Sequence, residues 1–187
     1  MAQQTLPAIF VTEEHLLIGQ IPTRGSRLLE TLTDPNSDCI QLDDVHVARR
    51  ESKGHRLKTL KQVMVRKHAV RLAILGGGKH ESPETRRFAY VDKQNYAAFA
   101  IVSGYEVEGR LQLKGAAEPV LALTRQLKSF IPITHATISH AGGNAEPLTA
   151  AVVLCSRDHI SVFHIGDLVH DAEIAAGRAK HAAAGVA

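Results

Sequence analysis

FIPITHATISHAG, Phe130 to Gly142, carries the same rhythm as CIQLDDVHVARRESKG, Cys39 to Gly54, far earlier in the chain. In the earlier stretch Ile40 and Leu42 alternate with polar residues, the alternation slips by one residue at Asp43-Asp44, and Val45 and Val47 resume it. In the later one Ile131 and Ile133 alternate, Thr134-His135 slips, and Ala136 and Ile138 resume. A one-residue slip in a period-2 pattern predicts a β-bulge, because the extra residue restores the apolar side chains to one face. Pro132 cannot donate to a ladder, so its part of the strand is expected at an edge.

Working outward, His15 to Gly76 matches Tyr105 to Gly166. LLIGQIPTRG and EVEGRLQLKG share G-x-[IL]-x-x-[RK]-G, with Gly19 over Gly109, Ile21 over Leu111, Arg24 over Lys114 and Gly25 over Gly115. Ser26 to Thr33 places Leu28, Leu29 and Leu32 on one face of a short helix that Ser26 can cap. Its counterpart is Glu118 to Lys128, with Pro119 where a first turn tolerates proline. Each match closes with an expected hairpin. Val63 and Val65 lead through Arg66-Lys67-His68 to Val70, Leu72 and Ile74; Val153 and Cys155 lead through Ser156-Arg157-Asp158 to Ile160 and Val162.

The fold expectation is a mainly β (α+β) protein of two tandem homologous β-α-β-β-β units, packed about a pseudo-two-fold because each is marginal alone. Residues 1–76 hold the first unit, 77–103 a glycine-led linker with a possible extra strand at AAFAIV, and 104–166 the second unit. Residues 167–187 form an alanine-rich helix or tail. Asp171 and Glu173 lie early in it and Arg178 and Lys180 late, the polarity a helix dipole favours. PAIFV, Pro7 to Val11, precedes the first unit much as AAFAIV precedes the second.

At 187 residues with 44% hydrophobic and 4% aromatic content, burial must come from Val, Ile, Leu and Ala, which suits strands. A formal charge of +3 is no polyanion-binding composition by itself. Cys39 and Cys155 form no C-x-x-C, which points to two buried thiols in a reducing compartment. The N-terminus lacks a secretory pattern, and no segment approaches the ~18 apolar residues of a membrane span. The expected location is cytoplasmic.

From IGQIPTRG through DDVHV the chain resembles a bacterial family of unknown function that reads approximately G-x-L-H, RLSDLLN and FLPLTDAEV. Gly19, Arg27, Leu28, Leu29, Leu32, Leu42, Asp44 and Val47 fall on that pattern, and SFIPITHATI carries part of it again. In the second copy Glu118-Pro119-Val120-Leu121 lacks the Arg-Leu opening, and His135 stands where the acid would be. The resemblance implies the fold unit and no catalytic residue.

Catalytic signatures do not emerge from the spacing. GGGKHES, Gly76 to Ser82, lacks the glycine and the Ser or Thr of a phosphate loop, since Ala73 and His80 stand there. Of the eleven histidines, His135 and His140, like His159 and His164, are five apart in strand-like sequence and point to opposite faces. No metal and no cofactor is expected. An Asp44 and His135 pair across the units is the one acid-base arrangement the pattern permits.

One charged feature stands out. Arg49, Arg50, Lys53, Arg56, Lys58, Lys61, Arg66, Lys67 and Arg71 are nine of the chain's 22 basic residues, interrupted by the single acid Glu51. They form the candidate binding patch, for phosphates or for an acidic protein surface. Aromatics for stacking on single strands are missing from it. The functional expectation is a non-catalytic assembly or accessory component that binds a protein partner or itself. A nucleic-acid-associated protein using the basic run is the first alternative, and an enzyme with a site between the units the second.

Overall fold

The computed structural model describes residues 5–22, 26–50, 56–75, 93–114, 128–142 and 146–168. The front half comprises β1 (Thr5–Val11), β2 (His15–Pro22), α1 (Leu28–Thr33), β3 (Cys39–Arg49), β4 (Arg56–Arg66) and β5 (Leu72–Leu75). The back half comprises β6 (Lys93–Val102), β7 (Tyr105–Lys114), β8 (Phe130–His140), β9 (Leu148–Ser156) and β10 (Ile160–Leu168). All ten strands lie in one sheet, ordered β10-β6-β7-β8-β9-β5-β1-β2-β3-β4, and every neighbouring pair is antiparallel. The chain is therefore mainly β, as its composition requires. PAIFV and AAFAIV are full strands, β1 and β6, so the front half begins one strand earlier than the expected unit.

The phase slips are bulges. Asp44 and His135 both adopt φ of 50°, and the ladders shift between Ile18 and Gln20 and between Glu108 and Arg110. The residues passed over are Gly19 and Gly109, where a side chain would be crowded, severely so at Gly109. A Cβ on Gly19 would sit 3.0 Å from the Asp43 carbonyl oxygen; one on Gly109 would sit 2.7 Å from that of Thr134 and 2.6 Å from Ile133 Cγ2. The bulge presses backbone against the neighbouring strand, tightly at Gly19 and at Gly109 so closely that only glycine leaves room. Pro132 lies in an interior strand, but the β7 ladder ends at Thr134. Among the described residues Phe130 to Ile133 pair only with β9, so the expected edge exists locally.

The expected hairpins do not form. A 3₁₀ turn, Lys67–Ala69 or Arg157–His159, follows β4 or β9, and the strand after it crosses to the far side of its half. There β5 pairs with β1, and β10 with β6. The residues flanking these turns are extended, Arg66 at ψ 127° and Val70 at ψ 120°, so the chain turns a corner without the left-handed residues that fold a tight hairpin back on itself. The Lys67 amide anchors the corner by donating to Asp38 O at 2.8 Å, as Arg157 N does to Ser129 O.

Helix α1 buries Leu28 and Leu32. Its cap is Arg27 and not Ser26: the Glu30 carboxylate reaches back to accept from the Arg27 amide at 3.2 Å, the reciprocal half of a capping box. The counterpart helix expected at Glu118–Lys128, all but its last residue, lies outside the described residues, as do Arg24, Gly25 and Gly115. The glycine-led loop from Gly76 and the tail from 169 also lie outside them; Asp167 and Leu168 belong to β10.

The halves join where β5 meets β9, with Leu72, Ala73, Ile74 and Leu75 opposite Cys155, Leu154, Val153 and Val152. Strand β5 is buried throughout, which explains why LAIL runs apolar without alternating. Leu72 and Ile74, with Val153 and Cys155, belong to the apolar core of the back half. Ala73, Leu75 and Leu154 belong to that of the front half, beside Leu28, Leu32 and Phe10. Successive side chains of a strand point to opposite faces, so the two cores lie on opposite faces of the sheet at the joint. Each half thus lends side chains to the other's core.

Candidate interaction surfaces

The basic run divides into residues used inside the chain and residues left at its surface. Arg66 forms an ion pair with Asp38. Lys67 is buried and donates from Nζ to the Asp34 carbonyl at 2.9 Å. Arg71 pairs with Glu13 at 3.0 Å and donates to Ser103 Oγ at 3.2 Å. The Arg50 guanidinium lies 5.1 Å from the centre of the Tyr105 ring, within cation–π range, and His140 meets the same ring edge-on. Arg71 and Arg50 come from the front half while Ser103 and Tyr105 come from the back half, so two of the nine bases fasten the joint. Arg49, Lys58 and Lys61 are exposed. Lys53 and the Arg56 side chain lie outside the described residues.

The titratable groups around these contacts are shifted by them. Burial pushes the Tyr105 phenol up, and Arg50 partly offsets it. His159, with Nδ1 3.0 Å from Ser156 Oγ, is held below the ordinary histidine value, first by burial and then by Arg71. A hydrogen bond with Cys39, then the Arg66 charge, lowers Asp38. Partial burial and then Asp38 raise Cys39.

Cys155 is buried in the β5 joint and its thiol is pushed up to about 12 by desolvation. Cys39 is only half-buried, which departs from the expected pair of buried thiols, and both are free. A thiol whose pKa rises keeps its proton at neutral pH, so neither is an activated nucleophile.

Asp44 and His135 do not meet. Their strands, β3 and β8, are separated in the sheet by β2, β1, β5 and β9, and both residues are exposed on their bulges. The acid-base pair permitted by the sequence pattern is therefore absent. Asp43, beside the bulge, accepts instead from the Gln41 and Gln62 amides at 2.9 and 3.3 Å. Among the described residues no group of three or more His, Cys, Asp or Glu is placed to hold a metal ion, and no helix is long and apolar enough to cross a membrane.

A shallow groove of about 540 Å³ runs between α1 and the outer strands, rimmed by Ile21, Glu30, Cys39, Ile40 and Met64. It opens onto β4, one of the two outermost strands; the other is β10. Among the described residues five large hydrophobic side chains are left exposed, and of these Leu57 and Met64 lie on β4 and Val162 on β10. Periodicity alone could not find these edges, because which strands end a sheet depends on the order of pairing. No family model, curated protein or solved structure matches the chain.

Proposed function

We propose that the chain consists of two head-to-tail copies of one β-rich unit and acts as a non-catalytic assembly component of a bacterial cytoplasmic homo-oligomer or larger complex. The observation that carries the duplication is the identity of pairing registers. Val11 opposite Leu72 in the front half corresponds to Ile101 opposite Val162 in the back half. Gln20 opposite Asp43 corresponds to Arg110 opposite Thr134, and Ile40 opposite Val65 to Ile131 opposite Cys155. Strand order agrees as well: β10-β6-β7-β8-β9 runs as β5-β1-β2-β3-β4 does. Chance resemblance between strand patterns gives no reason for both ladders to break at a left-handed residue beside a glycine.

The joint pairs β5 with β9, strands that hold different places in their units, so a head-to-tail relation replaces the two-fold expected from the sequence. A two-fold would set like strands against each other.

An assembly role draws its support from what the surface offers. Among the described residues the outer edges of β4 and β10 have no paired strand and carry apolar side chains, a known route to association by strand addition. Phosphate binding through the basic run, the alternative, is weakened because Arg50, Arg66, Lys67 and Arg71 already have internal partners.

Light scattering on the purified protein across a salt series separates the two. The assembly reading expects a particle several times the 20.3 kDa chain mass, free of nucleic acid and unchanged between low and moderate salt. Phosphate contacts would weaken steeply over that range. A 20.3 kDa species at every concentration, or one that carries nucleic acid at low salt and sheds it at moderate salt, contradicts this reading.

A further inference from the structure

We propose that β4 of one copy pairs with β10 of a second copy in the register that β9 and β5 use inside the chain. The interface is head-to-tail, and the sheet runs on from molecule to molecule. This rests on the unit duplication and assembly role proposed above and adds the surface, the partner and the register.

Inside the chain the fourth strand of the back unit, β9, meets the fifth strand of the front unit, β5. The outer strands are the corresponding pair left over: β4 is the fourth strand of the front unit and β10 the fifth of the back unit. Carrying over the observed register sets Val65 opposite Val162, Met64 opposite Phe163, Val63 opposite His164 and Gln62 opposite Ile165. The hydrogen-bonding groups are aimed accordingly. Ser156 N donates to Arg71 O across the inner joint, whereas Lys67 N turns inward to Asp38 O. Alternation along β4 then points the amides of Arg66, Met64 and Gln62 outward.

Exposure makes the second argument. At the inner joint Leu154 and Leu72 are among the side chains each half gives to the other's core, and they are 2% and 0% exposed. Their counterparts on the outer strands are Met64 and Val162, at 61% and 46%. Their neighbours Val65 and Ile165 are buried within their own halves. The outer strands thus keep their own core filled and hold out Met64 and Val162, the counterparts of two side chains that the inner joint donates across. Beside Met64 the groove is rimmed by Cys39; the counterparts of these two, Leu154 and Phe130, share a core with Leu28 and Leu32 of the other half, against which β8 lies. Lys58 and Lys61, which would discourage indiscriminate strand pairing, fall just outside the four paired positions. Gln62 and His164 replace the inner joint's Val152 and Ile74, so the outer joint is weaker and reversible.

A head-to-tail contact closes into a ring if the rotation permits and otherwise extends as a filament. Either way each copy has one donor edge and one acceptor edge, and these can be blocked separately. Met64→Lys and Val162→Lys each place a charge on an already exposed position, with circular dichroism and melting temperature as the check on folding. Each variant alone should be a 20.3 kDa monomer under conditions where the unaltered chain assembles. Mixed together, they should form a dimer and nothing larger, because only the β4 edge of the Val162→Lys chain and the β10 edge of the Met64→Lys chain remain competent.

As a second readout, a Met64→Cys, Phe163→Cys chain should cross-link between copies on mild oxidation, since directly opposite Cα atoms lie ~5.5 Å apart. If the unaltered chain assembles and both lysine variants still do, or if their mixture stays monomeric while each retains its fold, the register and edges are wrong although the assembly role stands. If the unaltered chain never assembles, both proposals fall.

Discussion

Gly109→Ala unfolds at markedly lower urea than the unaltered chain, by about 3 kcal/mol or more in stability, while Gly19→Ala loses roughly 1–2 kcal/mol. The difference follows from what surrounds the two positions. A methyl on Gly109 would meet the Thr134 carbonyl oxygen at 2.7 Å, Ile133 Cγ2 at 2.6 Å and Ala136 Cα at 3.2 Å. Ile133 is fully buried and the carbonyl belongs to a bulged strand, so neither can step aside without moving β8. At Gly19 the nearest atoms are the Asp43 carbonyl oxygen at 3.0 Å and Val45 Cγ2 at 3.1 Å, which a shift of a few tenths of an ångström relieves. Replacing glycine by alanine also stiffens the unfolded chain, a gain of about 0.4–1 kcal/mol that offsets part of either loss. Gly109→Ala within 0.5 kcal/mol of the unaltered chain, or less harmful than Gly19→Ala, would contradict the bulge geometry.

The second large effect concerns the joint. Leu154→Ala should cost about 2–5 kcal/mol, the range for emptying a buried leucine site. The equivalent Met64→Ala, measured at dilution where copies are separate, should stay within about 0.5 kcal/mol. Under the proposed duplication both residues occupy the same place in corresponding strands. Leu154 is covered because β9 is paired with β5 and its side chain enters the core of the front half, whereas among the described residues Met64 is left 61% exposed. Because Leu154 lies in the back half and its surroundings in the front half, the loss should appear in one cooperative transition and not as early melting of one half. Equal costs at the two positions, or two separate transitions, would mean that the halves do not share their cores.

Much of this was legible in the sequence because bulges leave a phase slip and buried pairs leave a period. The slips at Asp43-Asp44 and Thr134-His135 foretold the two bulges, and the glycines they press against lie in the shared G-x-[IL] pattern. Three features were not legible, each for a physical reason. The run from Val63 to Ile74 reads as two strands about a short polar turn, which is how a hairpin reads. Only the 3₁₀ geometry at Lys67–Ala69 shows that the chain crosses to another neighbour.

The basic run looks like one patch because adjacency in sequence suggests adjacency in space. Yet Asp38, Asp34, Glu13 and Tyr105, which engage Arg66, Lys67, Arg71 and Arg50, come from turns and strands remote in the chain. Alternation likewise fixes which side chains share a face but not which strand lies alongside. It could therefore suggest two units without showing how the front and back halves join. The apolar run LAIL held a clue: a strand that fails to alternate is buried on both faces, and within one half β5 had a core on only one.

Hydrogen exchange at the β4 edge tests the central claim most directly. The amides of Gln62, Met64 and Arg66 point away from β3 and, among the described residues, have no neighbouring strand. If the sheet continues into a second copy, these three amides exchange at least ~10-fold more slowly in concentrated unaltered protein than in the Met64→Lys variant, while the inward-facing amides of Val63 and Val65 exchange alike in both. Equal, fast exchange of the three outward amides in both proteins would contradict it.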